Sequence, residues 1–268
     1  MSLSSCHVSI DTCKFFVSVI FIQCVFIFLV LTLEELLSCI PPLVPYSPNA
    51  TTSTSTTNVD CFNRPTEVLL WDTFFREVNE FNFDQQPDFQ GLQLKVPYFE
   101  TRFIVNNEEM LRHAMNSNIC MVLNDALTDY EFAMRTTPGH GQPDFACHYV
   151  EELILVMEEK RGRVLRDIGA QTFPQYYASD PKAKMVIQQI YNYMCGNELQ
   201  YGVLSTYEDH WFLYRPAETP SKLFISPTLH LQSQSPPVLK AYAYITVTAR
   251  GGHVSPHPKL TNLKNKKL

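Results

Sequence analysis

The stretch "QPDFACHYVEELILVMEEK", residues 142–160, decides how this chain is read. A Pro-Asp pair opens it, an apolar run comes next, and Glu-Glu-Lys closes it. Such a run reads as two strands, over 143–148 and 153–160. In a strand, alternate residues share a face. Ile154, Val156, Glu158 and Lys160 then lie on one face, and Leu153, Leu155, Met157 and Glu159 on the other. Glu158 and Lys160 project side by side at the strand end, with Asp144 fourteen residues upstream of Glu158 at the start of the preceding strand. If the two strands pair as a hairpin, these polar ends meet at one edge of a sheet. The tetrapeptide Gln-Pro-Asp-Phe also occurs at 86–89, where no such strand comes after it, and that copy reads as a loop.

Moving outward, 268 residues suffice for one sizeable domain with extensions. Hydrophobic residues make up 45% and charged ones 18%, as in ordinary globular proteins. The formal net charge of −6 argues against broad non-specific coating of nucleic acid but leaves room for a local basic groove. The eight cysteines include no C-x-x-C pair, so a zinc ribbon is not expected, and their scatter suits free thiols in a reducing compartment.

The N-terminus pulls against that compartment. Residues 15–33 carry no charge, and as a helix they would span about 28 Å, close to a bilayer's hydrocarbon core. A membrane anchor within a hydrophobic segment 1–40 is the leading reading; a signal peptide, a buried helix and sequence foreign to the fold are the alternatives. Lys14 places the short N-terminus of such an anchor on the cytoplasmic side. Residues 41–64, rich in Pro, Ser and Thr, read as a linker without a packed core. Residues 65–250 read as the globular domain, and 251–268 as a disordered basic tail.

Within the domain, helices are expected over 67–81, from Asn106 to about 127, over 181–195 and over 237–250. Residues 99–105 look extended. Two β-rich runs, 201–206 and 211–215, form a hairpin signal, and 223–226 is a short strand. The order of helices and strands predicts an α/β sandwich: a small mixed central sheet flanked by helices.

The chemistry at the strand end has a definite use. Two carboxylates, Asp144 and Glu158, offer hard oxygens to Mg²⁺ or Mn²⁺. A bound metal polarises a phosphate and acidifies a water. Lys160 beside it can orient that water or stabilise charge on phosphorus. The Glu159 carbonyl offers a further oxygen. The basic run Lys160, Arg161, Arg163 and Arg166 reads either as phosphate contacts or as a solvated loop. His140, His148 and His210 show no ligand spacing, and Trp211 and Phe212 read as core rather than as base-stacking platforms.

Pro143-Asp144 followed by Glu158-x-Lys160 resembles the signature of the PD-(D/E)XK nuclease superfamily. Many members carry Gln-x-x-x-Tyr on the helix after the lysine strand; here Gln189 and Tyr193 have that spacing and share a helical face. The segments "YGVLSTYEDHWFLYRP" and "LFISPTLH" resemble the nuclease-like module that precedes kinase domains in large fungal families and Crinkler-type effectors. The resemblance covers roughly residues 65–250. It implies a restriction-endonuclease-like fold, with Asp144 and Glu158 as metal ligands, Lys160 positioning the attacking water, and Gln189 and Tyr193 orienting nucleic acid or the lysine. It also implies an acidic residue from the first helix, for which Glu108, Glu109 and Glu131 remain open.

One residue departs from that pattern. The middle residue of Glu-x-Lys is usually apolar because it enters the core, and here it is Glu159, which is expected to reach solvent at the strand end. The departure keeps a second reading in view: a catalytically silent interaction or regulatory module of the same fold, formerly joined to a kinase. No kinase motif occurs in the chain itself. A third reading gives the membrane-tethering segment the leading role.

Overall fold

The computed structural model describes residues 30–47, 63–134 and 141–258. Along the chain come β1 (Val30–Leu31), α1 (Leu33–Leu37), β2 (Glu67–Leu70), α2 (Phe74–Glu80), β3 (Leu94–Lys95), α3 (Glu108–Met115) and α4 (Met121–Ala126). Then come β4 (Tyr130–Met134), β5 (Phe145–Tyr149), β6 (Glu152–Glu159), α5 (Phe173–Ser179) and α6 (Pro181–Gly196). The chain continues through β7 (Tyr201–Ser205), β8 (Asp209–Tyr214), β9 (Lys222–Ile225), β10 (Leu229–His230) and α7 (Val238–Gly251).

One mixed sheet organises these elements, in the order β2-β9-β8-β7-β6-β5-β4, with β10 added to β8. β6 runs parallel to β7, and β2 to β9; the other pairs are antiparallel. A parallel pair needs a long crossover, and α5 and α6 supply it between β6 and β7. Both faces of the central strands are covered. Val156, Leu204, Trp211 and Leu213 pack beneath α5 and α6, while Leu155, Met157, Val203 and Phe212 pack with α1, α2, α3, α4 and α7. Fully burying a side chain of this size contributes roughly 1.5–3 kcal/mol, and these two layers hold the sheet. The architecture is therefore the expected α/β sandwich, with a larger sheet than the sequence suggested.

The deciding stretch forms a hairpin, β5–β6, whose two turn residues adopt positive φ: Val150 at 46° and Glu151 at 70°. That is the twist a tight hairpin needs. The register shifts between Cys147 and His148, which face Leu155 and Leu153, so Ile154 is the extra residue of a bulge on β6. Ile154 consequently joins the α7 side and Leu153 the α6 side, the reverse of strict alternation. From Leu155 onward the expected alternation holds.

α6 starts at the expected position. Asp180 accepts a hydrogen bond from the Ala183 N–H at 2.8 Å, and Pro181 occupies the first turn. Gly202, on β7 beneath this helix, has no room for a side chain without moving Met194, whose Sδ lies 2.9 Å from where a Cβ would sit.

Several expectations are corrected. The helix expected over 67–81 begins only at Phe74; Val68, Leu69 and Leu70 instead pair with Leu223, Phe224 and Ile225 in β2–β9. Parallel pairing with β9 at the edge of the sheet outweighed helical spacing there. The helix from residue 106 is capped by Asn107, which accepts from Met110 N–H, and is interrupted by a π turn over Asn116–Cys120. β4 and α5 are additions to the expected elements, although Thr172-x-x-Gln175 with Pro174 in the first turn is a helix-start signal for α5.

The flanks also differ from expectation. Residues 15–29 of the apolar run lie outside the described residues. Its end forms β1, paired with β3, and the start of α1, capped by Thr32. Leu33, Leu36 and Leu37 are buried in the main core. No helix among the described residues is long and apolar enough to cross a membrane. Residues 41–47, expected as linker, are packed as well: Val44 is buried and Val105 N–H donates to Pro45 O at 2.9 Å. The start of the supposed tail is held as well: Ser255 is buried, and the Arg215 guanidinium donates to Ser255 O at 2.6 Å and Pro256 O at 2.7 Å.

Candidate active site

The site grows from the end of β6. The β5–β6 register sets Phe145 opposite Met157, so Asp144 falls beside the Glu158–Glu159 peptide. The Glu159 N–H donates to Asp144 Oδ2 at 3.0 Å. Lys160 continues the strand by donating its N–H to Ser205 O at 2.8 Å, which fixes the lysine backbone against β7. Its ammonium lies 2.5 Å from Glu158 Oε1. Gln189 on α6 donates to the same Oε1 at 2.7 Å and to the Tyr193 hydroxyl at 3.0 Å. Asp144, Glu158, Lys160, Gln189 and Tyr193, named from sequence, thus form one connected cluster drawn from separate parts of the chain.

The cluster is almost dry. Glu158 is 2% exposed, Lys160 5% and Asp144 6%. Burial, with Asp144 as a like charge nearby, pushes the Glu158 carboxyl well above the ordinary glutamate range, against the pull of Lys160. Burial raises Asp144 too, opposed by Arg112. Two carboxylates in one low-dielectric site cannot both ionise cheaply without a cation.

Arg112, from α3, is absent from the residues expected at the site and supplies one such cation. Its Nε lies 2.7 Å from Asp144 Oδ1. Its other nitrogens contact Glu108 at 2.5 Å and Glu109 at 3.1 Å. In the sequence, Glu108 and Arg112 show only a four-residue helical spacing, which is commonly a solvated pair. Nothing local announces the contact to residue 144. Of the three acids left open for the first helix, Glu108 and Glu109 border the cluster through Arg112. Glu131 lies on β4 opposite His148, towards the far end of that strand pair.

Glu159 does not reach solvent. It is 1% exposed, and burial raises its carboxyl far above the ordinary range. Its side chain belongs to the other layer, where it acts on Cys120, Tyr207 and Tyr242. The parity of the strand dictates this: the residue between Glu158 and Lys160 must enter the opposite core.

The basic run divides. Lys160 is spent on Glu158, and Arg161 lies 3.8 Å from Glu108. Arg163 and Arg166 line a cavity of about 320 Å³ with Tyr46, Thr206, Glu208 and Trp211, next to the strand end. A larger groove, of about 1070 Å³ beside β3 and α4, contains none of these residues. Trp211 and Phe212 are fully buried. His210 is buried against the Tyr242 hydroxyl at 3.0 Å, and His140 lies outside the described residues.

A glycine tightens the arrangement. Gly141 adopts φ +84°, and a Cβ there would sit 2.3 Å from the Tyr193 ring. Any side chain at 141 would displace the tyrosine that meets Gln189.

The donors suit a hard divalent cation: two carboxylates at one strand end, with Glu158 Oε2 buried and lacking a hydrogen-bond partner. No group of three or more His, Cys, Asp or Glu residues among the described ones forms a ready-made metal cage.

No protein-family model matches this chain, and no curated protein matches it in sequence. Among solved structures, it is similar to the type IIG restriction endonuclease BpuSI, at 16% identity and a TM-score of 0.26. That alignment covers 53% of this chain and only 15% of BpuSI.

Proposed function

We propose that this chain is a metal-dependent phosphodiesterase acting on nucleic acid, with a PD-(D/E)XK-like site. The observation that carries the reading is the convergence of Asp144, Glu158, Lys160 and Gln189 on one another at the end of β6. Asp144 and Glu158 would hold Mg²⁺ or Mn²⁺, joined by the Glu159 carbonyl. When bound, the metal supplies Lewis acidity towards a phosphate oxygen and a water. Lys160 holds its ammonium beside Glu158, positioned to orient the attacking water and to compensate negative charge developing on the phosphoryl oxygens. Gln189 fixes the rotamer of Glu158 by gripping Oε1, and Tyr193 fixes Gln189. Arg163 and Arg166, around the neighbouring cavity, suit contacts to the phosphate backbone.

The test is cleavage of single- and double-stranded DNA and RNA by the full chain in Mg²⁺ or Mn²⁺. Activity should vanish with a chelator and fall about 100-fold or more in Lys160→Ala. Equal cleavage by wild type and Lys160→Ala would remove the reading.

A second reading has its own support. Asp144 and Glu158 are both already paired with protein cations, Arg112 and Lys160. A site neutralised from within also suits a silent interaction module that keeps the fold without the chemistry. Absence of metal binding in a folded protein, together with an inactive Arg112 variant, would favour it.

A further inference from the structure

Arg112 is bound on three sides. Its Nε, NH2 and NH1 each meet a different carboxylate: Asp144 at 2.7 Å, Glu108 at 2.5 Å and Glu109 at 3.1 Å. The side chain is only 13% exposed. Arg112 is thus enclosed by acids, and its Nε meets Asp144 as an ion pair rather than as an aligned hydrogen bond. Two of those acids sit on its own helix, one turn away, and hold it wherever α3 goes. The third, Asp144, is reached from a distant part of the chain, and it is the proposed metal ligand.

We propose that Arg112 is a displaceable internal counter-ion, which competes with a divalent cation for Asp144 Oδ1. The idea rests on the metal reading of the site. Asp144 has few alternatives, since Oδ2 already accepts the Glu159 N–H. With Arg112 in contact, Oδ1 is committed, and a second positive charge at that oxygen meets the guanidinium's repulsion in a poorly screened interior. Arg112 stays compensated when Asp144 lets go, because Glu108 and Glu109 keep it paired, and the incoming metal compensates Asp144 in its place. The arrangement keeps buried carboxylates compensated when no metal is present and sets the metal concentration at which the site fills.

The experiment is a calorimetric titration of Mg²⁺ into the full-length chain: wild type, Arg112→Met, Arg112→Lys and, as a charge control, Arg163→Met. Thermal unfolding of each variant establishes that it is folded. Arg112→Met should bind Mg²⁺ about tenfold tighter or more, and Arg163→Met within about threefold of wild type, because only the first frees Asp144. Arg112→Lys keeps the charge but not the fork, so it should fall between wild type and Met. It carries the test alone if the Met variant does not fold. Wild type that binds while both Arg112 variants bind equally or more weakly overturns the counter-ion role and leaves the metal site standing. An equal gain in Arg163→Met also overturns it, since the effect would then be general charge. If no variant binds metal, both the metal reading and the counter-ion fail. If only the Arg112 variants bind, the counter-ion role stands in its strongest form.

Discussion

The chain contains Gln-Pro-Asp-Phe twice, and the two copies lead different lives. At 86–89 the peptide ends in a short 3-10 turn over Pro87–Phe89, and Asp88, half exposed, pairs with Arg250 on the surface. At 142–145 it leads into β5, and Asp144 is buried between the Arg112 guanidinium and the Glu159 N–H. The four residues are identical, so nothing intrinsic to them separates a surface turn from a candidate metal ligand. The difference lies downstream in the chain. Behind Phe89 the chain turns; behind Phe145 it forms a strand that pairs on both sides, with β4 and β6, and so carries Asp144 into the end of a covered sheet. A motif acquires chemistry from its long-range partners, not from its letters.

Stability should register that contrast most strongly. Asp144→Ala leaves a buried N–H without its acceptor and breaks one arm of the Arg112 clamp, so urea unfolding should show a loss of about 2–4 kcal/mol. Asp88→Ala should cost less than about 1 kcal/mol, as surface pairs do. Equal losses would break the comparison. Next in size is Gly141→Ala, one residue before the second copy. The positive φ and the Tyr193 ring predict a loss of about 1–3 kcal/mol with weakened cleavage, whereas Gly91→Ala after the first copy meets nothing within 4 Å and should show only the backbone part of that cost.

A third test separates Glu158 from Glu159, adjacent and equally buried but facing opposite layers. The Glu159 carboxyl is raised in the folded state, so folding favours its protonated form. Its contribution is fully present below the ordinary glutamate value near 4.5 and is lost as pH rises from there towards the folded value. Glu159→Gln, which cannot ionise, should therefore gain on wild type as pH rises, by up to about 1.4 kcal/mol per pH unit. Its metal affinity should change little, whereas Glu158→Gln should lose it. Parallel stability-against-pH curves for wild type and Glu159→Gln would contradict the buried placement. Smallest are the effects at the cavity arginines. Arg163→Ala and Arg166→Ala should each alter stability by less than about 0.5 kcal/mol. Each should reduce the salt slope of nucleic-acid binding by about one. An unchanged slope would remove them from the interface.

Much of the site was legible in the sequence because its parts obey local periodicities. The two-residue repeat put Glu158 and Lys160 on one face, and the four-residue spacing put Gln189 and Tyr193 on another. α6, the β7–β8 hairpin and α7 were readable from caps, turn residues and apolar spacing for the same reason. What the sequence hid was non-local. Arg112 meets Asp144 across 32 positions of chain, and β2 trades a helical pattern for a parallel partner 155 positions away. The bulge at Ile154 swapped two faces that strict alternation had assigned, and Glu159 is buried because β6 stays paired with β7 as far as Glu159 and Ser205, which covers the strand end. The N-terminal leucines of α1 looked like the end of an apolar run, yet they belong to the core because α7 lies against them.

On the proposed reading, the second Gln-Pro-Asp-Phe copy carries a metal ligand and the first does not. Calorimetric titration of Mg²⁺ or Mn²⁺ into the full-length protein, with Asp144→Ala and Asp88→Ala compared with wild type, tests this most directly. Wild type and Asp88→Ala should bind saturably, and binding should disappear in Asp144→Ala. Binding that survives in a folded Asp144→Ala protein would contradict it.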